Sequence, residues 1–230
     1  MKRITVLSMS LLLTVPVLAQ QEEQTRIQES AQVLREIIGM PDKGIPHDLL
    51  DKSECVVVYP SVKKAAFVVG GSYGRGIITC RKGANFNGPW SAPAMFALEG
   101  ASVGFQIGGE ATDFVLLVMN EQGAKSVMSS KVKLGADASV AAGPVGRTTS
   151  AETDIVMKAQ ILSWSRSRGI FAGIALTGST MRSDGDGNKS LYGKELTATE
   201  IVIEGKVPPP PAAKSLLALL NKTSPKHAGK

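Results

Sequence analysis

The stretch Ala97 to Asn120, ALEGASVGFQIGGEATDFVLLVMN, narrows what this chain can fold into. From Ala101 its side chains alternate. Ala101, Val103, Phe105 and Ile107 fall on one side; Ser102, Gly104, Gln106 and Gly108 fall on the other. A period of two belongs to a β-strand, and the nearly bare second face admits a helix or another backbone at close range. Gly108-Gly109 reads as a turn and Asp113 to Asn120 as a second, apolar strand, so the segment is expected to form a β-hairpin. Glu99, Glu110 and Asp113 interrupt every apolar window long enough to cross a bilayer. The segment has no G-x-G-x-x-G, and the chain has no G-x-x-x-x-G-K-[ST], which removes a phosphate-cradling loop.

The flanking sequence supplies helices and more strands. Between Glu22 and Ile38, Ile27, Ala31, Leu34 and Ile38 recur at steps of three and four, widened by Val33 and Ile37. This is an amphipathic helix, stopped by Gly39 and Pro41. Short strands are expected at Cys55–Tyr59, Ala65–Gly70 and Gly76–Cys80, punctuated by Pro60, Gly70-Gly71 and Gly83. NEQGAKSVMSS reads as a short helix, KVKLGADASVAAGPVGRTTSAETD as strand and turn, and IVMKAQILSWSRS and GIFAGIALTGSTM as strands. RSDGDGNKS is a polar turn and Thr197 to Ile203 is helical. VPPPP is a stiff spacer before a last helix, AAKSLLALLNK, entered through Pro211. The fold class is therefore α+β: a mainly antiparallel β core of about seven strands, with an N-terminal amphipathic helix and a C-terminal helix.

Residues 1–19 read as a signal peptide. Lys2 and Arg3 precede a short apolar stretch, and small or apolar residues lead to a cut after Ala19. The chain is then exported, to a periplasm or outside the cell, with a possible peripheral place on a membrane. Loss of Lys2 and Arg3 lowers the net charge from +6 to +4. That excess suits an anionic membrane surface and falls short of a nucleic-acid signature. Export would place Cys55 and Cys80 where a disulfide can form. A three-strand meander would set them at opposite ends of the sheet, so two buried, unpaired thiols are expected.

Several separated blocks resemble the SYLF domain: IPHDLLDKSECVVVYPSVKKAAFVVGGSYGRGI, PAMFALEGASVGFQIGGEATDFVLLVMN, AGPVGRTTSAETD, SWSRSRGIFAGIALTGS and NKSLYGKELTATEIV. On this reading residues 20–44 are an amphipathic helix and linker, 45–222 the SYLF-like domain, and 223–230 a disordered tail. The resemblance implies binding of phosphoinositide-like or other anionic lipids, assisted in eukaryotic members by an N-terminal amphipathic helix. Some members bind actin. An exported chain of bacterial type would meet neither actin nor phosphoinositides in its own compartment, so actin is not expected as a partner.

Candidate anion-binding residues are Lys63, Lys64, Arg75, Arg147, Arg166 and Arg168. The run GPVGRTT offers backbone N–H groups and Arg147 to a phosphate. WSRSRG sets Arg166 and Arg168 on one strand face; the alternative is a solvated edge that discourages aggregation. Asp184, Asp186, Asn188 and Glu195 match positions 1, 3, 5 and 12 of a calcium loop, but Lys189 occupies position 6, where glycine is required. An acidic turn is the competing reading, and no other cofactor is expected. The chain has two histidines, His47 and His227, and no H-E-x-x-H, G-x-S-x-G or paired-cysteine motif. The expected function is that of an exported, non-enzymatic module on anionic phospholipid surfaces. The alternative is a structural or protein-interaction domain of the cell envelope.

Overall fold

The run CVVVY at Cys55–Tyr59 has no polar alternation, which marks a strand covered on both faces. In the computed structural model, which describes residues 14–40, 44–66, 69–103, 111–146, 158–167 and 169–225, that strand is the middle of the sheet. β1 (Cys55–Ala66) pairs antiparallel with β2 (Val69–Cys80) and with β4 (Ala111–Val118). β3 (Ala94–Val103) lies beyond β2, followed by β9 (Thr180–Ser183) and the short β5 (Lys131–Lys133). On the other side β4 pairs with β7 (Ile161–Ser167), whose far edge is shared by β6 (Val140–Ala142) and β8 (Ile170–Gly173). The β6–β7 pairing is parallel and the other strand-to-strand pairings among the described residues are antiparallel. The two ends of the order, β5 and β6, are sequence neighbours linked by a bridge between Leu134 and Ala138. The sheet therefore curls until one turn reaches both edges.

This topology changes three sequence expectations. β3 and β4 are not a hairpin: the β1–β2 hairpin stands between them. The alternation that starts at Ala101 is met by β3 as far as Val103; residues 104–110, with the turn expected at Gly108-Gly109, lie outside the described residues. The three strands expected between Cys55 and Cys80 are two long ones. Pro60 does not end β1; the register shifts between Tyr59 and Val62, and Ser61 takes φ 54°. Proline and its neighbour are thus absorbed in a bulge. With a single hairpin, Cys55 is the direct partner of Cys80, and the two form a disulfide with Cα atoms 4.0 Å apart.

Pleating splits the core in two. Cys55, Val57, Tyr59, Phe96, Leu116 and Met181 fill the inside of the curl. Val56, Val58, Ile77, Val115, Leu117 and Trp164 point outward under helices. α1 (Thr14–Ile38) lays Ile27, Leu34 and Ile37 on this outer face, each fully buried. The expected cut after Ala19 falls inside this helix. α2 (His47–Lys52) follows, and α3 (Glu121–Val127) starts on Asn120, whose side chain accepts from Gly123 N. The turn expected at RSDGDGNKS is instead α4 (Gly185–Tyr192): Asp184 caps its start and Gly193, at φ 71°, ends it. α5 (Ala198–Val202) opens with a capping box between Thr197 and Glu200. A 3₁₀ turn at Pro211–Ala213 leads into α6 (Lys214–Thr223), which buries Leu216 and Leu220 beside α1.

Candidate functional site

Inward Val132 and Met181 fix which way their strand neighbours point. Lys131 and Lys133 must face outward. Lys131 pairs with Arg182, Arg182 with Ala97, and Ala97 with Arg75. These four positions form one transverse row on the outer face, across β5, β9, β3 and β2. Strands lie about 4.8 Å apart, so the row spans roughly 14 Å. A second row runs Lys133, Thr180, Glu99, Tyr73 and Lys63. Lys63, Tyr73, Lys131 and Lys133 are exposed. A groove of about 600 Å³ opens among Ser72, Glu99, Gly100, Lys131, Lys133 and Thr180.

Charges within these rows are partly matched. Arg182 Nε donates to Glu99 at 2.7 Å, and this bond holds Arg182 above the ordinary arginine range despite partial burial. Arg75 Nε donates to Asp184 at 2.6 Å, while Nη2 reaches Glu23 at 2.5 Å and Nη1 lies 3.7 Å from Glu22. Burial opposes its charge, but Asp184 and Glu23 outweigh that and raise its pKa. Arg166 is built the same way. Its Nε and Nη2 take Asp113 at 2.9 and 2.7 Å, and its Nη1 takes Glu36 of α1. Asp113 also accepts from Ser61 N at 2.9 Å, the residue strained by the bulge. Two arginines singled out from the sequence therefore clamp α1 across four strands.

Of the other expected anion-site residues, Lys63 is exposed beside Tyr73. Lys64 lies on β1 opposite Ser72, and its side chain is outside the described residues. So are Arg147 and Arg168. Lys131, Lys133 and Arg182 were passed over in the sequence. The signal was there as K-V-K, an alternation with an apolar middle residue, but its partner strand lies some fifty residues away. Arg81 plays another part: it is buried over the Trp90 ring at 4.2 Å and donates to Ser224 O and Oγ at 2.7 Å, fastening the end of α6.

The four residues matched to a calcium loop do not converge. Asp184 takes Gly187 N and Arg75, and the Asn188 carbonyl accepts from Met95 N at 2.7 Å. Asp186 is exposed, and Glu195 pairs with Lys189 at 2.8 Å. Among the described residues no three His, Cys, Asp or Glu side chains gather in a way that would hold a metal ion. No described helix is long and apolar enough to cross a membrane.

A family model described as Ysc84, Las17-binding protein actin regulator, matches residues 99–223. The "LAS seventeen-binding protein 3" of Saccharomyces cerevisiae is 34% identical over 182 residues, 78% of this chain and 39% of the relative. "Protein YSC84" of the same yeast is 33% identical over 207 residues, 86% of this chain and 43% of the relative. The human "SH3 domain-containing YSC84-like protein 1" is 30% identical over 210 residues, 89% and 60% respectively. The chain thus spans between 39% and 60% of the length of these relatives. The name of the first describes a binding protein, and the family's description as a Las17-binding actin regulator weighs against setting actin-linked partners aside.

Proposed function

The chain belongs to the Ysc84 (SYLF) family, and from that premise we propose that it is a non-enzymatic module that rests on anionic phospholipid surfaces through the cationic rows of its outer sheet face. The observation that carries this reading is the alignment of Lys131, Arg182 and Arg75 in one row, with exposed Lys133 and Lys63 in the next. Each Lys or Arg near an anionic leaflet contributes about 1 kcal/mol. Glu99 on Arg182, and Asp184 and Glu23 on Arg75, neutralise part of these rows, so the attraction is moderate and salt-sensitive. The apolar stripe of α1 is buried against the sheet, so the docked helix offers its polar face to any membrane. The Cys55–Cys80 disulfide supports placing the protein in an oxidising, exported compartment.

A second reading, binding of a protein partner, is favoured by the family's description and by the name of one relative. Co-sedimentation with phosphatidylglycerol and phosphatidylcholine vesicles at low and moderate salt separates the two. Binding to phosphatidylglycerol alone, weakened by salt, is the expected result. No sedimentation with either vesicle moves the function to a protein partner.

A further inference from the structure

Within α1, the stretch Gln20–Arg26 is held differently from Ile27–Ile38 after it. Gln20–Arg26 reads QQEEQTR, without one apolar side chain. Its buried side chain is a carboxylate, that of Glu23. The next buried apolar side chain is that of Ile27. What ties these two turns to the domain is polar: Glu22 and Glu23 on Arg75, and a 3.4 Å bond from Gln20 to Leu191 O. Detaching them would uncover no apolar helix surface.

Arg75 is arranged as a receptor for an anion. Asp184, itself fixed as the cap of α4, holds the guanidinium by Nε and turns its Nη atoms toward α1. Gly187 leaves room for it: a Cβ there would lie 2.7 Å from Arg75 Nη2. Arg75 also ends the row that begins at Lys131 and Arg182. A guanidinium held this way donates to carboxylate or phosphate oxygens alike.

We infer that Glu22 and Glu23 occupy Arg75 in place of a lipid phosphate, and that an anionic surface displaces them and frees Gln20–Arg26 while Ile27–Ile38 stay docked. This inference rests on the lipid reading above. The exchange replaces one charge-assisted contact with another. The freed segment carries two glutamates and one arginine, so a like-charged surface repels it away from the opened row. Arg75 then faces the same surface as Lys131 from the other end of the row.

A mutant cycle in the purified chain tests this with phosphatidylglycerol and phosphatidylcholine vesicles. The variants are E22Q/E23Q, R75Q and the triple E22Q/E23Q/R75Q. E22Q/E23Q should bind phosphatidylglycerol vesicles at least about threefold tighter than wild type, a gain equal to ~0.7 kcal/mol. That gain should vanish when Arg75 is replaced. A general charge effect would survive R75Q, and its survival overturns the inference. A second readout needs no mutation: amide exchange at 20–26 in wild type should accelerate on phosphatidylglycerol and not on phosphatidylcholine. If wild type binds but 20–26 stays protected, the displacement is wrong and the lipid reading stands. If wild type binds neither vesicle, the lipid reading fails and this inference fails with it.

Discussion

Cys55 and Cys80 face each other across β1 and β2 with Cα atoms 4.0 Å apart, joined by a disulfide between two fully buried residues. The bridge closes a hairpin whose ends are 25 residues apart in sequence. Loop-closure entropy assigns such a link about 3 kcal/mol. Replacing both cysteines with alanine should lower the unfolding free energy by that amount, read as a lower urea midpoint, with a steeper slope because the unfolded chain is no longer cross-linked. Because both sulfurs are enclosed, a reductant should act on the unfolded chain only. Equal midpoints for the oxidised wild type and the double variant would show that the bridge adds nothing.

That disulfide also shows where sequence reading stops. Residue-level patterns announced the two ends of the hairpin correctly, because apolar runs need neighbours. They misplaced the partners, because Pro60 looked like a strand end when it sits in a bulge of a longer strand. The same limit applies to β3 and β4: their alternation is local, whereas the β1–β2 hairpin that divides them is a long-range fact. Helix starts were read more faithfully where the cap lies beside the helix, as at Thr197 with Glu200. The Asp184 cap was overlooked since two glycines made DGDG look like a turn. At the candidate site, Arg75 and Arg166 could be marked as cations. Their carboxylate partners on α1 and on distant strands could not be seen, since nothing in sequence spacing links residue 23 to 75 or 36 to 166.

The docking of α1 rests on its apolar stripe more than on its clamps. Leu34 is fully buried among outward-facing sheet residues. Leu34→Ala should cost 2–5 kcal/mol, roughly the range for a buried leucine. Glu29→Gln, on the exposed face of the same helix, should stay within about 0.5 kcal/mol. Chemical denaturation of the two variants checks the contrast. A mild effect of Leu34→Ala would mean that α1 is not part of the cooperative unit.

Acid should loosen α5 before the sheet. The Glu200 carboxylate accepts from Lys206 at 2.6 Å and from Thr197 N–H and hydroxyl, which lowers its pKa from 4.5 to about 2. A carboxyl depressed in the folded state stabilises it fully above the unfolded value. That contribution fades as pH falls from about 4.5 towards 2. Amide exchange at 198–202 should therefore differ between wild type and Glu200→Gln at pH 6, and converge near pH 2. A difference independent of pH would assign the effect to packing.

Lys131 and Lys133 give the cleanest test of the lipid reading, because both are exposed and point away from the core that Val132 enters. Val132 between them keeps β5 seated in the core, so Lys131→Ser with Lys133→Ser should leave the melting temperature nearly unchanged. If the rows meet an anionic leaflet, two lost cations remove about 2 kcal/mol, a weakening of roughly thirtyfold on phosphatidylglycerol vesicles. The salt dependence should flatten in step, since fewer screened charges remain. Arg166→Gln offers the opposite pattern: it loosens Glu36 and Asp113 and should lower stability more than binding. Unaltered vesicle affinity in the double lysine variant would remove the outer face from the membrane contact, whatever the family's other members do.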